Sequence, residues 1–504
     1  MLRQRPLRRT LLLASLASCL LLGSGPVSSA SAPPLPATQP PPPVPGPASV
    51  TPPAQPALRR RPGAAPDSAR RAYRRWRQLL LARARADSLA RADSLARADS
   101  LARVVVPPPR DYVAEVRDNF TPQNRAYSTT RAALGFLVPL YGILIGLFIL
   151  FSGLSAWMRD VARGLSNRSY LQVLCFLALY LALGFVLEFP LVFFQDFALE
   201  RQYGLLNQTF GPWMLDQLKG LLVSLAFLGV VPLVWLAYKP IRRFPRHWWL
   251  VLGVGTLPVI LAGSFLQPLV VDPLFNHFTP LADKRLEAQI LEVAARAGIP
   301  ARHVFQMDAS RQSNRYNAYV SGFGPSQRVV LWDTTLKGMT ADEILFVVGH
   351  ESAHYRLHHL WWRVLFDTGL SFLLFWLSAG FMRRAVVRWG GRWGFTELHD
   401  VASLPLFVVA LTLFSFLAQP GFNSFGRRIE HDSDTFGLEL THANDAAARA
   451  FMKLGSQNRS DPEPGPLIEL FEYDHPPLLE RVRFALGYRP WEEGKPNRLF
   501  RPAR

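Results

Sequence analysis

The sequence predicts a mostly α-helical, polytopic membrane protein in which the last two membrane spans divide a small α+β domain. Hydrophobic residues make up 49% of the 504 residues and charged residues only 18%, against about 25% charged in ordinary globular proteins. The apolar residues are concentrated in six runs, each close to or above the ~20 residues that cross a bilayer as a helix. These observations exclude a mostly disordered chain and argue against an ordinary soluble enzyme.

Residues 1–32 have the features of a secretory signal peptide or of an uncut signal anchor. Arginines precede an apolar stretch, 11–22, and small residues follow it as far as Ala30, as in a cleavable signal. Cys19 also fits a lipoprotein cleavage box, but the apolar run continues past it. The simplest expectation is cleavage after Ala30.

Residues 33–131 are interpreted as a proline-rich linker followed by an Ala/Arg repeat region. Prolines dominate 33–57 and favour an extended spacer. From Ala84 the hexapeptide Ala-Arg-Ala-Asp-Ser-Leu occurs three times, and leucines six residues apart form no helical stripe. We expect a solvated helix or a disordered tether, whose basic charge could contact lipid head groups.

The six apolar runs predict six transmembrane helices. They fall at about 132–158, 170–194, 220–238, 248–271, 364–382 and 401–419. The first four form one block, 132–271, and the other two lie within a second block, 272–504. Since two spans separate the polar stretches 272–360 and 420–504, both stretches lie on the same side of the membrane and can form one domain.

Charge and cysteine usage limit the partners and the chemistry. The net charge of +19 suits anionic lipid head groups or nucleic acid on charge alone, and the membrane spans favour the bilayer, with no nucleic-acid partner expected. The only cysteines are Cys19 and Cys175, so neither a disulfide framework nor a cysteine-ligated zinc site can form. Any metal ion must be held by histidines and carboxylates.

The polar stretches predict the elements of a small α+β domain. Leu286, Ile290 and Val293 form one face of a helix that ends at Gly298. Short β-like runs follow at 303–307, 317–321 and 328–332.

A second helix of this domain carries the candidate catalytic residues. Thr340 and Glu343 have the spacing of a capping box, and the helix behind them contains His350-Glu351-x-x-His354. Two histidines four residues apart project from one helical face and can share a zinc ion, while the adjacent glutamate can reach the water that the metal activates. The pattern therefore indicates a zinc hydrolase.

A catalytic zinc site needs a third protein ligand. Leu357 and Leu360 stand where a metzincin has glycine and histidine, which excludes that class. His358 shares a helical face with the second histidine of the motif, but a polar surface role is its simpler interpretation. Downstream, Glu430 and Asp434 lie on one face of a predicted helix, where Glu430 can bind zinc and Asp434 can orient a zinc-bound histidine.

At this point the chain, over roughly residues 132–488, resembles the type I CAAX prenyl protease family of membrane zinc metallopeptidases. The motifs that carry the resemblance are His350-Glu351-x-x-His354, Arg427-Arg428-Ile429-Glu430 with Asp434, Asn317-Ala318-Tyr319, Pro273-Leu274-Phe275 with Thr279-Pro280-Leu281, and His475-Pro476-Pro477-Leu478-Leu479-Glu480-Arg481. Two small departures from the family pattern are Ser352-Ala353 between the histidines and Ser433 in place of alanine.

The resemblance implies a role for each motif. Glu430 would be the third ligand of one Zn²⁺ per chain, and Glu351 the general base. The strand Asn317, Ala318 and Tyr319 would pair with the substrate backbone. His475 and Arg481 would contact the substrate or its developing oxyanion, and the spans would surround a chamber.

We therefore expect a membrane zinc metalloendopeptidase that acts on peptides or lipidated peptides. The leader and composition suggest the inner membrane of a bacterium, with a role in processing or quality control of membrane proteins or lipopeptides. The alternatives are a catalytically inactive scaffold or chaperone of the same fold and a site-2-type intramembrane protease. Arginine-rich loops favour an external active site, whereas the resemblance implies a cytosolic one; the sequence leaves this face and the oligomeric state open.

Overall fold

The computed structural model describes residues 110–226, 230–321 and 327–501, together with a few helical residues between 78 and 89. Contacts divide the chain into a unit of residues 33–111 and a larger unit of residues 1–32 and 112–504. The larger unit carries the membrane helices and the sheet. The predicted signal segment, 1–32, and most of the predicted linker and repeat region lie outside the described residues.

Fifteen helices are named here in chain order. They are α1 (Tyr112–Asp118), α2 (Pro122–Phe151), α3 (Leu154–Leu165), α4 (Ser169–Gln202), α5 (Phe210–Ala226), α6 (Val230–Arg243), α7 (Trp248–Phe275), α8 (Lys284–Arg296), α9 (Asp333–Gly338), α10 (Ala341–Arg356), α11 (His359–Trp393), α12 (Leu404–Thr441), α13 (Asn444–Gln457), α14 (Pro466–Glu472) and α15 (Leu478–Gly487). Within the described residues, five of them (α2, α4, α7, α11 and α12) are long and apolar enough to cross a membrane. The polytopic helical architecture is confirmed.

Helices α1 and α2 correct the predicted end of the linker, which the sequence placed at 131. The side chain of Thr121 accepts a hydrogen bond from the Asn124 N–H at 3.2 Å, and Pro122 opens α2, as suits a helix start. The first turns of α2 carry mostly polar side chains. Hydropathy therefore detects only the apolar part of this helix, from about residue 132 onward.

The third predicted span, at about 220–238, is divided between α5 and α6. These helices have 17 and 14 residues, fewer than the ~20 that cross the hydrocarbon. Residues 227–229 between them lie outside the described part of the chain. The count of six spans therefore stays a prediction.

A continuous apolar cluster holds the membrane helices together. It takes side chains from α2, α3, α4, α6, α7, α11 and α12, and Phe176, Trp248 and Trp393 are among its fully buried members. A Cβ at Gly146 on α2 would collide with Val409 on α12. The missing side chain lets these two spans approach closely, as small residues do in membrane bundles.

The soluble part contains a four-stranded sheet with the order β1-β2-β4-β3. Its strands are β1 (Phe278–Pro280), β2 (His303–Met307), β3 (Ala318–Ser321) and β4 (Arg328–Trp332). The central pair β2 and β4 is parallel, and the outer pairs are antiparallel. The three predicted runs are confirmed; β1 was missed because three residues carry too little pattern.

Helix α8 packs as its periodicity predicts. Asp283 caps its first turn by accepting from the Arg285 and Leu286 N–H groups, and Gly298 ends it with φ +80°, which favours glycine. Leu286, Ile290 and Val293 join a buried cluster that also includes side chains of α1, α10, α12, α13 and α15. Helix α12 thus belongs to both apolar clusters and connects the membrane to the domain.

Candidate metal centre

Helix α10, which carries His350, Glu351 and His354, is fixed at its start. The Thr340 N–H donates to Glu343 Oε2 at 2.8 Å, and Lys453 Nζ on α13 donates to the same oxygen at 2.7 Å. Burial would raise the pKa of Glu343, but the Lys453 ammonium and the Thr340 groups hold it below its usual value. The charged end of α10 is thereby anchored to α13, which fixes the register of the motif.

Glycines let α12 approach the motif closely. A Cβ at Gly437 would lie 3.1 Å from His350 N, and one at Gly349 would lie 3.1 Å from Thr441 Cγ2. Gly437 shares a helical face with Glu430 and Asp434, because residues three, four and seven apart align on a helix. The close approach at Gly437 therefore brings both carboxylates of α12 against α10.

His350, His354 and Glu430 form one cluster whose ligand atoms all lie within 4.8 Å of one another. His350 Nε2 lies 3.2 Å from Glu430 Oε2, and His354 Nε2 lies 3.7 Å from Glu430 Oε1. Bonds of ~2.0–2.2 Å in a tetrahedral zinc site separate neighbouring ligand atoms by about 3.3 Å. Glu430 Oε2 is buried and makes no well-formed hydrogen bond within the described residues, so the donor set fits a metal ion.

Asp434 contacts the first ligand on the side away from the cluster. His350 Nδ1 lies 2.8 Å from Asp434 Oδ1, and Arg481 donates from Nε and Nη2 to the two carboxylate oxygens at 2.8 and 2.6 Å. The three side chains are at most 4% exposed. The carboxylate favours the His350 tautomer with hydrogen on Nδ1, which leaves the Nε2 lone pair for a metal.

His475 reaches the cluster from the segment before α15. Its Nε2 lies 3.0 Å from Glu430 Oε2, and its Nδ1 lies 2.9 Å from Asp474 Oδ1. Burial lowers the pKa of His475, but the carboxylates of Glu430 and Asp474 outweigh burial and raise it. Gly426 permits this approach, because a Cβ there would lie 2.9 Å from Asp474 O.

Glu351 follows His350 on α10 and is 8% exposed. Its charge acts on Arg481: burial lowers the pKa of this guanidinium, while Asp434 first, then Glu430 and Glu351, raise it. The carboxylate of Glu351 therefore lies within electrostatic range of the buried group that holds Asp434.

The predicted substrate strand corresponds to the start of β3, one of the two edge strands of the described sheet. Asn317 turns the chain into β3: its Oδ1 accepts from the Ala318 N–H at 2.9 Å, and its carbonyl accepts from Thr335 Oγ1 at 2.8 Å. Ala318 is buried in the same cluster as the apolar face of α10, and Tyr319 is half-buried. The strand is thus fixed against the helix that carries the ligands.

A buried ion pair, which the sequence did not indicate, joins this region to the membrane spans. Glu200 on α4 accepts from Tyr127 of α2 at 2.6 Å and from Arg315 at 2.7 Å. Arg315 lies two residues before Asn317. The pair therefore anchors the entry to β3 against two spans.

The chain turns sharply where α10 ends. His358, the alternative third ligand, is exposed and has φ +57°, so it turns away from the cluster, whose ligand set does not include it. His359, which the sequence reading overlooked, is 5% exposed and places its Nδ1 3.2 Å from His354 Nδ1. Counting by helical turns could not find His359, because the helix ends between the two histidines.

The fold and the centre together define an integral, multi-pass membrane metallopeptidase. Residues 280–489 match peptidase family M48, and residues 100–277 match the family described as CAAX prenyl protease N-terminal, five membrane helices. The chain belongs to peptidase family M48, as the sequence resemblance predicted.

Curated relatives and a solved structure extend this result. Uncharacterized metalloprotease YhfN of Bacillus subtilis is 33% identical over 71% of this chain and 84% of its own length. CAAX prenyl protease 1 of Saccharomyces cerevisiae is 28% identical over 74% of this chain and 87% of its own. The crystal structure of S. mikatae Ste24p has a TM-score of 0.63 and 29% identity, covering 73% of this chain and 88% of that one.

Proposed function

We propose that the protein is a zinc metalloendopeptidase that hydrolyses peptide bonds with water. The observation that carries this proposal is the cluster of His350, His354 and Glu430 within 4.8 Å, with Glu351 on the same helix. Two imidazoles and one carboxylate hold a catalytic zinc ion and leave a fourth position open. One Zn²⁺ per chain is expected.

The candidate catalytic residues of α10 have two tasks: His350 and His354 bind the metal, and Glu351 transfers a proton. A zinc ion held by these three residues would supply a Lewis acid and lower the pKa of bound water to about 7. Glu351 takes the proton from the attacking water and returns it to the leaving amine as the peptide bond breaks. Asp434 keeps His350 in the required tautomer during this cycle.

His475 is the proposed donor to the oxyanion that develops on the scissile carbonyl. Its ring is 6% exposed and its Nε2 lies 3.0 Å from Glu430 Oε2, and a donor in a water-poor site stabilises such an oxyanion by about 3–4 kcal/mol. The resemblance implies the same role for Arg481. The two short bonds from Arg481 to Asp434 favour a positioning role instead.

The substrate is proposed to be an extended peptide or lipidated peptide that pairs with Asn317, Ala318 and Tyr319. The edge position of β3 supports this mode, since strand addition gives main-chain hydrogen bonds with little demand on sequence. Several relatives are named CAAX prenyl proteases. In a bacterial inner membrane, we propose processing or quality control of membrane proteins or lipopeptides.

The test is substrate capture on Glu351→Gln in native membranes, followed by mass spectrometry. The purified wild-type protein should contain about one zinc ion per chain and cleave the captured peptides, and the variant should keep zinc without cleaving. A metal-free, inactive preparation with normal folding would favour the scaffold or chaperone alternative. The site-2 type is disfavoured because α10 ends at Arg356, before the span α11 begins.

We propose that the arginine-rich ends of the membrane helices lie in the cytoplasm and the metal centre on the opposite face. Arg159 pairs with Asp400 at 3.0 Å, which links the connection between α2 and α4 to the connection between α11 and α12. Because α11 begins next to α10, this second connection lies at the other end of the membrane helices. Short basic loops favour the cytoplasm. A fusion after Arg504 tests this: alkaline phosphatase activity supports it, and green fluorescent protein fluorescence would show the cytosolic site that the resemblance implies.

A further inference from the structure

The two histidines of the metal helix are held by different chemistry. His350 has a carboxylate, Asp434, at its Nδ1. His354 has another imidazole at the same position: His354 Nδ1 lies 3.2 Å from His359 Nδ1. Nothing in the catalytic mechanism above uses His359, although its ring is buried beside the cluster.

We propose that His359 is the positioning residue for His354. With Nε2 of His354 turned toward Glu430 Oε1, at 3.7 Å, a metal ligand at that nitrogen requires the hydrogen on Nδ1. This Nδ1–H donates to Nδ1 of His359, which accepts it when its own hydrogen lies on Nε2. The inference rests on the proposed zinc site and adds to it a histidine that orients one of the ligands.

The surroundings are compatible with this hydrogen bond. The ring planes are inclined by 74° and the centroids are 5.1 Å apart, nearly as far as the Nδ1–Nδ1 distance of 3.2 Å permits, so the two nitrogens point toward each other. Ser433 Oγ donates to Ile429 O at 3.0 Å and lies 3.4 Å from His359 Nδ1 and 3.5 Å from His354 Nε2. Because the Ser433 hydrogen is directed to the Ile429 carbonyl, Nδ1 of His359 stays available to accept from His354.

The backbone explains why this histidine and not its neighbour takes the role. His358 adopts the left-handed conformation at the end of α10, with φ +57°. That conformation ends α10, and α11 begins at His359, whose ring lies against His354. His358 is exposed, so the adjacent histidines provide a test residue and a matched control.

The experiment measures zinc affinity by competition with a chelator, together with the Tm of the metal-free protein. In His359→Asn, the amide Oδ1 occupies nearly the place of Nδ1 and can accept the same hydrogen bond. In His359→Gln the oxygen lies one atom further out, and His359→Phe has no acceptor. We expect zinc affinity to fall about 10- to 100-fold in the Gln and Phe variants, the range typical of lost ligand-orienting partners, and to stay near wild type in the Asn variant.

The control is His358→Asn. Asparagine adopts the left-handed backbone conformation readily, so the zinc affinity and the metal-free Tm of this variant should both match the wild type. Wild-type zinc affinity in His359→Phe would overturn the proposal. Equal weakening in the Asn and Phe variants with a parallel fall in metal-free Tm would also overturn it, in favour of a packing role. If the wild-type protein binds no zinc, the proposed function fails together with this inference. If the wild-type protein binds zinc and the His359 variants bind it equally well, only the role of His359 is rejected.

Discussion

Each half of α12 carries deeply buried side chains, but for different purposes. In the membrane half, Leu406, Val408 and Leu411 are at most 1% exposed and contact other apolar side chains. In the domain half, Glu430 and Asp434 are 6% and 1% exposed and contact histidines and an arginine. Apolar burial is non-directional, whereas a buried carboxylate needs a specific partner. The comparison teaches that one helix can supply stability at one end and chemistry at the other.

The largest expected effect is that of Glu430→Ala in the domain half. The substitution removes one of three ligands, so bound zinc should fall from about one per chain to near zero, and peptide cleavage with it. Elemental analysis of the purified protein measures this. The matched control is Asp432→Asn on the same helix, whose carboxylate pairs with Arg498 at 2.8 Å; a similar loss of zinc there would contradict the ligand assignment.

Glu351→Gln should separate metal binding from proton transfer. The three ligands remain, so the zinc content should match the wild type. The cleavage rate should fall about 100- to 10,000-fold, the contribution typical of a positioned general base. Turnover of a fluorogenic peptide measures this, and wild-type turnover by the variant would remove Glu351 from the mechanism.

The sequence predicted the parts of this site that follow helical spacing. His350 and His354 lie about one turn apart on α10, with Glu351 next to the first, and Glu430 and Asp434 lie about one turn apart on α12. The spans were found for a similar reason, because long apolar runs have few other stable solutions. These features depend on local periodicity, which a single sequence records directly.

The missed features depend on contacts between distant segments. The hydrogen bonds from Arg481 to Asp434 connect residues 47 apart in the sequence, and the Glu200–Arg315 ion pair connects residues 115 apart. Spacing along the chain carries no signal for either. His359 was overlooked for a different reason, since the left-handed backbone of His358 breaks the helical count at that residue.

Asp434→Ala should produce a smaller effect than the loss of a ligand. His350 keeps its Nε2 but loses the carboxylate that orients the ring, so zinc should bind about 10- to 100-fold more weakly. Chelator competition measures the change. The variant also leaves Arg481 buried without its partner, so the metal-free Tm should fall too. Unchanged zinc affinity would show that Asp434 serves only to neutralise Arg481.

Leu406→Ala in the membrane half should have the smallest effect on the metal centre. The side chain is 1% exposed within the apolar cluster, and removing it leaves a cavity that costs about 2–5 kcal/mol of stability in a well-packed core. Because Leu406 lies nearly seven helical turns from Glu430, at about 3.6 residues per turn, zinc affinity should match the wild type while Tm in detergent falls. Weaker zinc binding in this variant would show that the two halves of α12 are coupled, and the contrast between stability and chemistry on this helix would fail.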